Sequence, residues 1–171
     1  MNGVVIRRAD AGDAVELVEL ANAVSREPEG WLIADSGWRT SAEERRYLRA
    51  LRRYAHAAVI VAEAPEGIVG RLSVSRDSHP ASHHVADLGL IVAASHRRRG
   101  IGRALLEAAV GWAREAGVRK LELHVFPHNQ PAIALYESFG FVREGHRRGH
   151  YRREDAYLDV ILMALRLDPP A

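Results

Sequence analysis

The stretch VADLGLIVAASHRRRGIGRALLEAAVGWAREAG, from Val85 to Gly117, limits the folds open to this chain more than any other. It reads as a strand over Val85–Ala93, a turn carrying three arginines, and a helix from about Gly100 to Ala116, with Gly117 just past its end. Gly89 inside the strand suggests a bulge or a close backbone approach by something else. A strand that turns into a helix leaves unpaired N–H groups and a positive dipole end at the turn. Gly100 and Gly102 let an anion approach with no Cβ in the way. Arg97, Arg98, Arg99 and Arg103 can add charge-assisted hydrogen bonds. Taken alone, the turn is a phosphate cradle, a nucleic-acid patch or a solvated helix start. It is not a Walker loop, because Gly-Lys-Ser/Thr is absent. It is not a dinucleotide fingerprint, because Leu105 stands where the third glycine is needed.

The flanking segments extend the pattern. Gly3–Arg8 reads as a strand. Asp10 caps a helix running to Val24, with Val15, Val18, Ala14 and Ala21 on its buried stripe. Residues 25–40 show no period and hold two tryptophans, Trp31 and Trp38, so they read as a loop. Ser41-Ala42-Glu43-Glu44 is a capping box opening a helix to about Ala55. Ala57–Ala64 and Ile68–Arg76 form a hairpin about the turn Pro65-Glu66-Gly67. Residues 77–84 (DSHPASHH) are a loop. Arg119–Phe126 is a strand and Gln130–Phe139 a short helix, with Pro131 near its start and Gly140 after its end. Phe141–His146 and Ala156–Leu165 are two final strands joined by an arginine-rich link. The order β-α-α-β-β-β-α-β-α-β-β is that of an α+β domain, with a helix crossing over after the fourth strand.

Composition removes several classes. The 171 residues suit a single domain, and 47% apolar residues suffice for a core. No run of uncharged apolar residues reaches membrane-spanning length. The first residues lack the apolar region of a signal peptide, so a cytoplasmic protein is expected. With no cysteine there is no disulfide, thiolate nucleophile or cysteine-bound zinc. Net charge is only +2, although all basic residues except Lys120 are arginine.

A second segment turns the opening stretch into a specific signal. In HNQPAIALYESFGF, the residues Asn129, Ala132, Leu135, Tyr136, Gly140 and Phe141 form the pattern N-x-x-A-x-x-L-Y-x-x-x-G-F. Together with Arg97-x-x-Gly100-x-Gly102, and DLGLIV before it, this closely resembles the GCN5-related N-acetyltransferase (GNAT) family. The strong match runs from about Asp87 to Phe141, and the element order fits across nearly the whole chain. Two departures stand out. Arg98 follows the first arginine where the family often has glycine, and Ala94 replaces a frequent proline.

The resemblance implies an α+β acyl-CoA N-acyltransferase fold, with a central mixed, mostly antiparallel sheet of about seven strands and helices on both faces. DLGLIV would be the strand whose bulge splays that sheet. It implies acetyl-CoA as cosubstrate and no metal. Backbone groups of Leu90, Ile91 and Val92 would bond the pantetheine like an added strand. The loop Arg97, Arg98, Arg99, Gly100, Ile101, Gly102 and Arg103 would hold the pyrophosphate, with Arg98 and Arg99 touching phosphates or not. Asn129 and Ala132 would meet the pantetheine arm. Tyr136 would protonate the leaving thiolate, since an amine attacking a thioester expels one. The N–H near Val92 would polarise the thioester carbonyl.

An amine needs a base. In relatives that acetylate ribosomal-protein N-termini, the strand after the crossover helix carries a glutamate base in L-E-V-x-x-x-N. His124 stands there in Leu123-His124-Val125, and histidine titrates in the right range. Asp87, Glu63 or a water chain are the alternatives, Asp87 being one residue out of register with the glutamate of histone-type members. His79, His83 and His84 lack metal-ligand spacing. Gly145–Arg153 (GHRRGHYRR) could touch nucleic acid, bind an acidic substrate or be a solvated loop. Trp31 and Trp38 could wall the acceptor site or belong to the core. The expected activity is direct acetyl transfer to the primary amine of a small molecule or amino acid, with no acyl-enzyme. The rivals are an N-terminal protein acetyltransferase, a non-catalytic coenzyme A-binding module and a nucleic-acid-binding protein. No nucleic acid or membrane partner is expected, and the chain would be a monomer or homodimer.

Overall fold

The computed structural model describes residues 3–32, 38–54 and 56–167. Part of the expected loop, 33–37, and the expected helix end at Ala55 lie outside these residues. The strands are β1 (Val5–Arg8), β2 (Ala57–Ala64), β3 (Gly67–Arg76), β4 (Val85–Val92), β5 (Lys120–Val125), β6 (Val142–Arg153) and β7 (Ala156–Arg166). The helices are α1 (Ala14–Ser25), α2 (Ser41–Leu51), α3 (Ile101–Glu115) and α4 (Gln130–Phe139). The strands form a seven-stranded sheet in the order β1-β2-β3-β4-β5-β7-β6. Only β4 and β5 run parallel among the described neighbours, joined by α3 as the crossover. The expected α+β class and element order are found.

Strand alternation divides the core between the two faces of the sheet. On β2, Ala58, Ile60 and Ala62 meet α3, where Ile101, Leu105, Ala109 and Trp112 supply the buried stripe, and Ile133 and Tyr136 of α4 join that cluster. Val59 and Val61 point the other way, onto Leu17, Leu20 and Val24 of α1 and Leu48 of α2. The stripe of α1 is therefore Ala14, Leu17, Leu20, Ala21 and Val24. Val15 is 44% exposed, and Val18 is only partly buried. A 3-10 turn at Ala11–Asp13, capped by Asp10, precedes α1 and rotates its face away from the expected one.

Other differences have local causes. The capping box of α2 is Thr40 with Glu43, one residue earlier than the expected Ser41 with Glu44. Both pairs satisfy the rule by residue type, and the earlier one leaves Glu44 free to turn inward, where it is fully buried. The arginine-rich link is itself strand: β6 runs through Arg153 and returns as β7 after Glu154-Asp155. Its charged, exposed residues hide the alternation that marks a half-buried strand. β4 pairs with β3 without a register shift at Gly89, so the expected bulge is not there. The sheet opens for another reason: β4 and β5 pair only from Val85↔Lys120 to Asp87↔Glu122 and then part.

Candidate active site

The parting of β4 and β5 creates a cavity of about 390 Å³. Two-residue alternation decides which backbone groups face it. Asp77 N bonds Val85 O, and Ala93 N bonds Val69 O, so odd-numbered residues of β4 bond to β3. The groups of Leu88, Leu90 and Val92 therefore face the gap, whereas those of Ile91 are spent on β3. Gly89 lines the cavity, and a Cβ there would meet only Ser73 Oγ, at 3.6 Å.

The turn after β4 carries left-handed backbone at two residues, Arg98 (φ 62°) and Gly100 (φ 83°). Alternation of left- and right-handed residues turns successive N–H groups to one side, which suits an anion. Arg98 thus occupies a conformation that disfavours a Cβ, at the position where GNAT sequences often have glycine. Gly102 has a different task from anion approach: a Cβ there would stand 2.8 Å from Leu135 Cδ2, so its absence lets α3 pack on α4. Arg97 is committed within the protein. Its Nη1 and Nη2 each donate to Glu27 at 2.7 Å, and its Nε donates to Val92 O at 3.0 Å. That takes up the Val92 carbonyl and leaves the Val92 N–H toward the gap. Arg98 and Arg99 are exposed and form no ion pair with another described residue. Arg103 lies over the Phe139 ring at 5.4 Å.

From the α4 side, Asn129 caps the helix, its Oδ1 accepting from Ala132 N at 3.2 Å, which leaves the amide NH₂ available. Tyr136, 5% exposed, packs on Phe141 and lines the cavity. Its hydroxyl makes no hydrogen bond with a described residue, and burial pushes its pKa well above the usual phenol range. From the β5 side, His124 Nδ1 lies 3.1 Å from Tyr151 Oη, with His150 edge-on at 5.0 Å. Desolvation, then the charges of Arg147 and His150, hold the His124 pKa below 6.5, with Glu122 opposing them. Asp87 sits at the last paired position before β4 and β5 part and does not line the cavity. Desolvation by the surrounding protein, together with Glu122, pushes it up to about 6. Glu63 is held by Arg7 at 2.6 Å, next to β1, and does not line the cavity.

The opposite face of the sheet supplies the rest of the wall. Trp31 and Trp38 both line the cavity. So does Arg71 of β3, only 3% exposed, with its Nη1 at 2.9 Å from Glu44 Oε1. Desolvation lowers the Arg71 pKa, and Glu44 offsets this. Residues 26–32, after α1, are tied down three times: by Arg97 to Glu27, by His128 Nε2 to Glu29 O (3.0 Å), and by Arg153 Nη2 to Gly30 O (3.1 Å) and Leu32 O (3.0 Å). The sequence assigns no site role to Arg71 or Glu44 and does not set Tyr151 apart within its arginine-rich segment. A signal existed for Arg71, an arginine within the otherwise apolar and small run IVGRLSV. Tyr151 needed the knowledge that GHRRGHYRR is strand. His79 caps a turn within its own loop, bonding Ala81 N, and His83 bonds Ser78 O at 3.1 Å.

A parallel strand pair parted over a cavity, followed by an anion-ready turn and with a phenol opposite a neutral imidazole, is an arrangement for moving an acyl group from a phosphate-bearing donor. The chain belongs to the acetyltransferase (GNAT) family, whose family model matches residues 18–141, and it is an N-acetyltransferase using acetyl-CoA. It is 29% identical to an L-amino acid N-acetyltransferase of Escherichia coli, over 96% of this chain and 98% of that one. It is 46% identical to the ribosomal protein bS18-alanine N-acetyltransferase of Escherichia coli, but over 41% of this chain and 47% of that one. The crystal structure of a GNAT acetyltransferase from Streptococcus pneumoniae superposes with a TM-score of 0.88 at 31% identity, covering 96% of this chain and 99% of that one. No helix of the described residues is long and apolar enough to cross a membrane.

Proposed function

We propose that the acceptor is the primary amine of a small molecule, foremost an amino acid. The observation that carries this is the cavity itself. At about 390 Å³ it lies within the range of small-ligand sites. The loop after α1, clamped by Arg97, His128 and Arg153, covers its acceptor end. The full-length likeness to an L-amino acid N-acetyltransferase points the same way. Acetylation of a protein N-terminus is the second reading, favoured by the shorter but higher identity to the bS18-alanine enzyme. His124 in place of the glutamate base of such enzymes speaks against it.

Acetyl-CoA supplies the thioester that the amine attacks. The N–H and C=O groups of Leu90 and the N–H of Val92 receive the pantetheine and the thioester carbonyl. The turn from Arg98 to Arg103 receives the phosphates through its N–H groups and the exposed guanidiniums of Arg98 and Arg99, with Arg103 beside them. Arg97 acts by holding the turn to Val92 and Glu27. The Asn129 amide NH₂ faces the pantetheine arm. His124, kept neutral at pH 7 by its lowered pKa, takes the amine proton, and Tyr151 fixes its ring. Tyr136, kept protonated by burial, donates to the departing sulfur. Asp87 is the alternative base. No metal is part of this scheme.

Thiol release from acetyl-CoA across amino acids, small amines and an alanine-terminated peptide tests the reading. Turnover with one or more free amino acids or amines is expected. Turnover with the peptide alone would establish the second reading. Thermal stabilisation by acetyl-CoA without thiol release from any acceptor would instead mark a coenzyme A-binding module.

A further inference from the structure

The Arg71 guanidinium is buried but under-bonded. Its Nε and Nη1 have no hydrogen-bond partner among the described residues. Glu44 Oε1 is close enough for charge attraction at 2.9 Å, yet that oxygen also lacks an aligned hydrogen bond. Glu44 must also serve Arg39, which reaches its Oε2 at 3.1 Å. One carboxylate thus faces two guanidiniums, the half-exposed Arg39 and the buried Arg71, and leaves Arg71 without an aligned hydrogen bond to it. Leaving a buried charged donor unmatched is costly, so an arrangement of this kind calls for a further anion.

The surroundings define that anion. Arg71 lines the cavity on the sheet face that carries Ser73, two residues along the same strand. It pairs across the ladder with Ile91, next to Val92, whose N–H faces the gap. The Trp38 ring lies 5.1 Å from the guanidinium, and Trp31 and Leu32 complete an apolar wall. A planar fork matches carboxylate and phosphate alike. The donor's phosphates are assigned to the turn after β4, which leaves a carboxylate for Arg71 and its indole backing.

We infer that Arg71 receives the carboxylate of an α-amino acid acceptor, which places the α-amine toward the gap between β4 and β5. This rests on the N-acetyltransferase reading and narrows it: acceptors carry a free carboxylate beside the amine. Arg71 is then a specificity-determining residue, and Glu44 and Arg39 hold it in position. Trp31, Trp38 and Leu32 receive the amino acid side chain.

The test compares L-amino acids with their own α-amides and decarboxylated amines, by thiol release and by thermal shift with coenzyme A present. The free acids are expected to exceed the amides on the order of 10- to 100-fold in kcat/KM, the range of a buried charge-assisted hydrogen bond. In the double variant Glu44→Gln/Arg71→Met, which removes both buried charges together, the preference should fall to near unity while coenzyme A affinity holds. Arg71→Lys keeps the charge but loses the fork, and should retain part of the preference. It serves if the double variant does not fold. Equal use of acids and amides by the native protein would overturn the inference, as would a preference that survives in the folded double variant. Failure of the enzyme reading looks different: no thiol release with any acceptor, acid or amide. In that event a thermal shift given by acids but not amides still supports the anchor, and equal or absent shifts overturn it.

Discussion

The donor end and the acceptor end of the cleft are built by different means. The proposed donor end is one continuous stretch, β4, its turn and the start of α3, completed by Asn129 and Tyr136 a short way along the chain. Its recognition groups are largely backbone N–H and C=O, so its specification is local: a strand, a pair of left-handed residues, a helix start. The acceptor end gathers side chains from β3, α2, the loop after α1, β5 and β6. It is held by contacts as distant as Arg97 to Glu27, 70 residues apart, and Arg153 to Gly30, 123 apart. A shared donor can be met by a local device that many chains carry, whereas an acceptor must be met by tertiary placement particular to one chain.

The sharpest way to break the comparison is at the junction of the two ends. Tyr136→Phe keeps the ring against Phe141 and removes only the proton donor. We expect a fall in kcat of about 100-fold or more, the usual scale for general acid catalysis, with acetyl-CoA affinity little changed. Because burial raises its pKa, Tyr136 should add no alkaline limb near pH 10 to the native rate profile. Stopped-time thiol assays and acetyl-CoA titration check both points, and an unchanged kcat would remove Tyr136 as the acid.

A smaller effect is expected where one end clasps the other. Glu27→Gln and Arg97→Met each break the bidentate pair, and the second also frees the Val92 carbonyl. Arg97 is 34% exposed, so solvent screens the pair, and about 1 kcal/mol is a fair expectation for each change. For a chain of this length that is a Tm lower by roughly 2–4 °C. The double variant should cost less than the sum of the two. Strict additivity by thermal denaturation would show the two residues to be uncoupled and the clasp without weight.

The same division explains what could be read from the sequence. The order of elements, the cofactor turn and the α4 pattern were legible because each is a short-range signal of period, glycine and cap. Residues Arg97, Gly100 and Gly102 stand out together, yet their tasks differ: Arg97 ties the turn to α1's loop, Gly100 turns the backbone, and Gly102 admits Leu135. A motif marks where a device lies without assigning the work inside it. The Arg71–Glu44 pair left almost no trace, since nothing in one sequence says that positions 27 residues apart will face each other. Glu44 fits a capping box by residue type, and GHRRGHYRR reads as a link because an exposed edge strand needs no apolar alternation.

At the last paired position before the strands part, Asp87 gives a stability prediction with a definite sign. Its folded pKa of about 6 lies above the ordinary 3.8, chiefly through desolvation and then Glu122, with Arg147 opposing. Between these values the folded chain holds a proton that the unfolded chain has released, so its contribution to stability is full below the lower value and is lost as pH rises through the upper one. Asp87→Asn should therefore match the native protein near pH 4 and melt higher than it at pH 7.5. His124 acts in the opposite sense, since desolvation lowers its pKa: its contribution is present above about 6.5, the ordinary value, and lost as pH falls through the folded one. If Asp87→Asn also abolishes the acid limb of the rate profile, Asp87 and not His124 is the base.

The smallest effect is expected at Arg98, where the donor end departs from its own local rule. A left-handed φ of 62° costs an arginine on the order of 1 kcal/mol that a glycine would not incur. Glycine in turn loses more freedom on folding, by roughly 0.5–1 kcal/mol. Arg98→Gly should thus raise Tm by no more than a degree or two. The informative quantity is the pairing of that gain with acetyl-CoA affinity. The proposed role of Arg98 is to bring its charge to the donor phosphates, which would account for an arginine in left-handed backbone there. Arg98→Gly should then weaken acetyl-CoA binding several-fold and make it less sensitive to salt. A gain in Tm with unchanged affinity would show that the backbone of the turn suffices, and would leave Arg99 and Arg103 as the side chains that meet the phosphates.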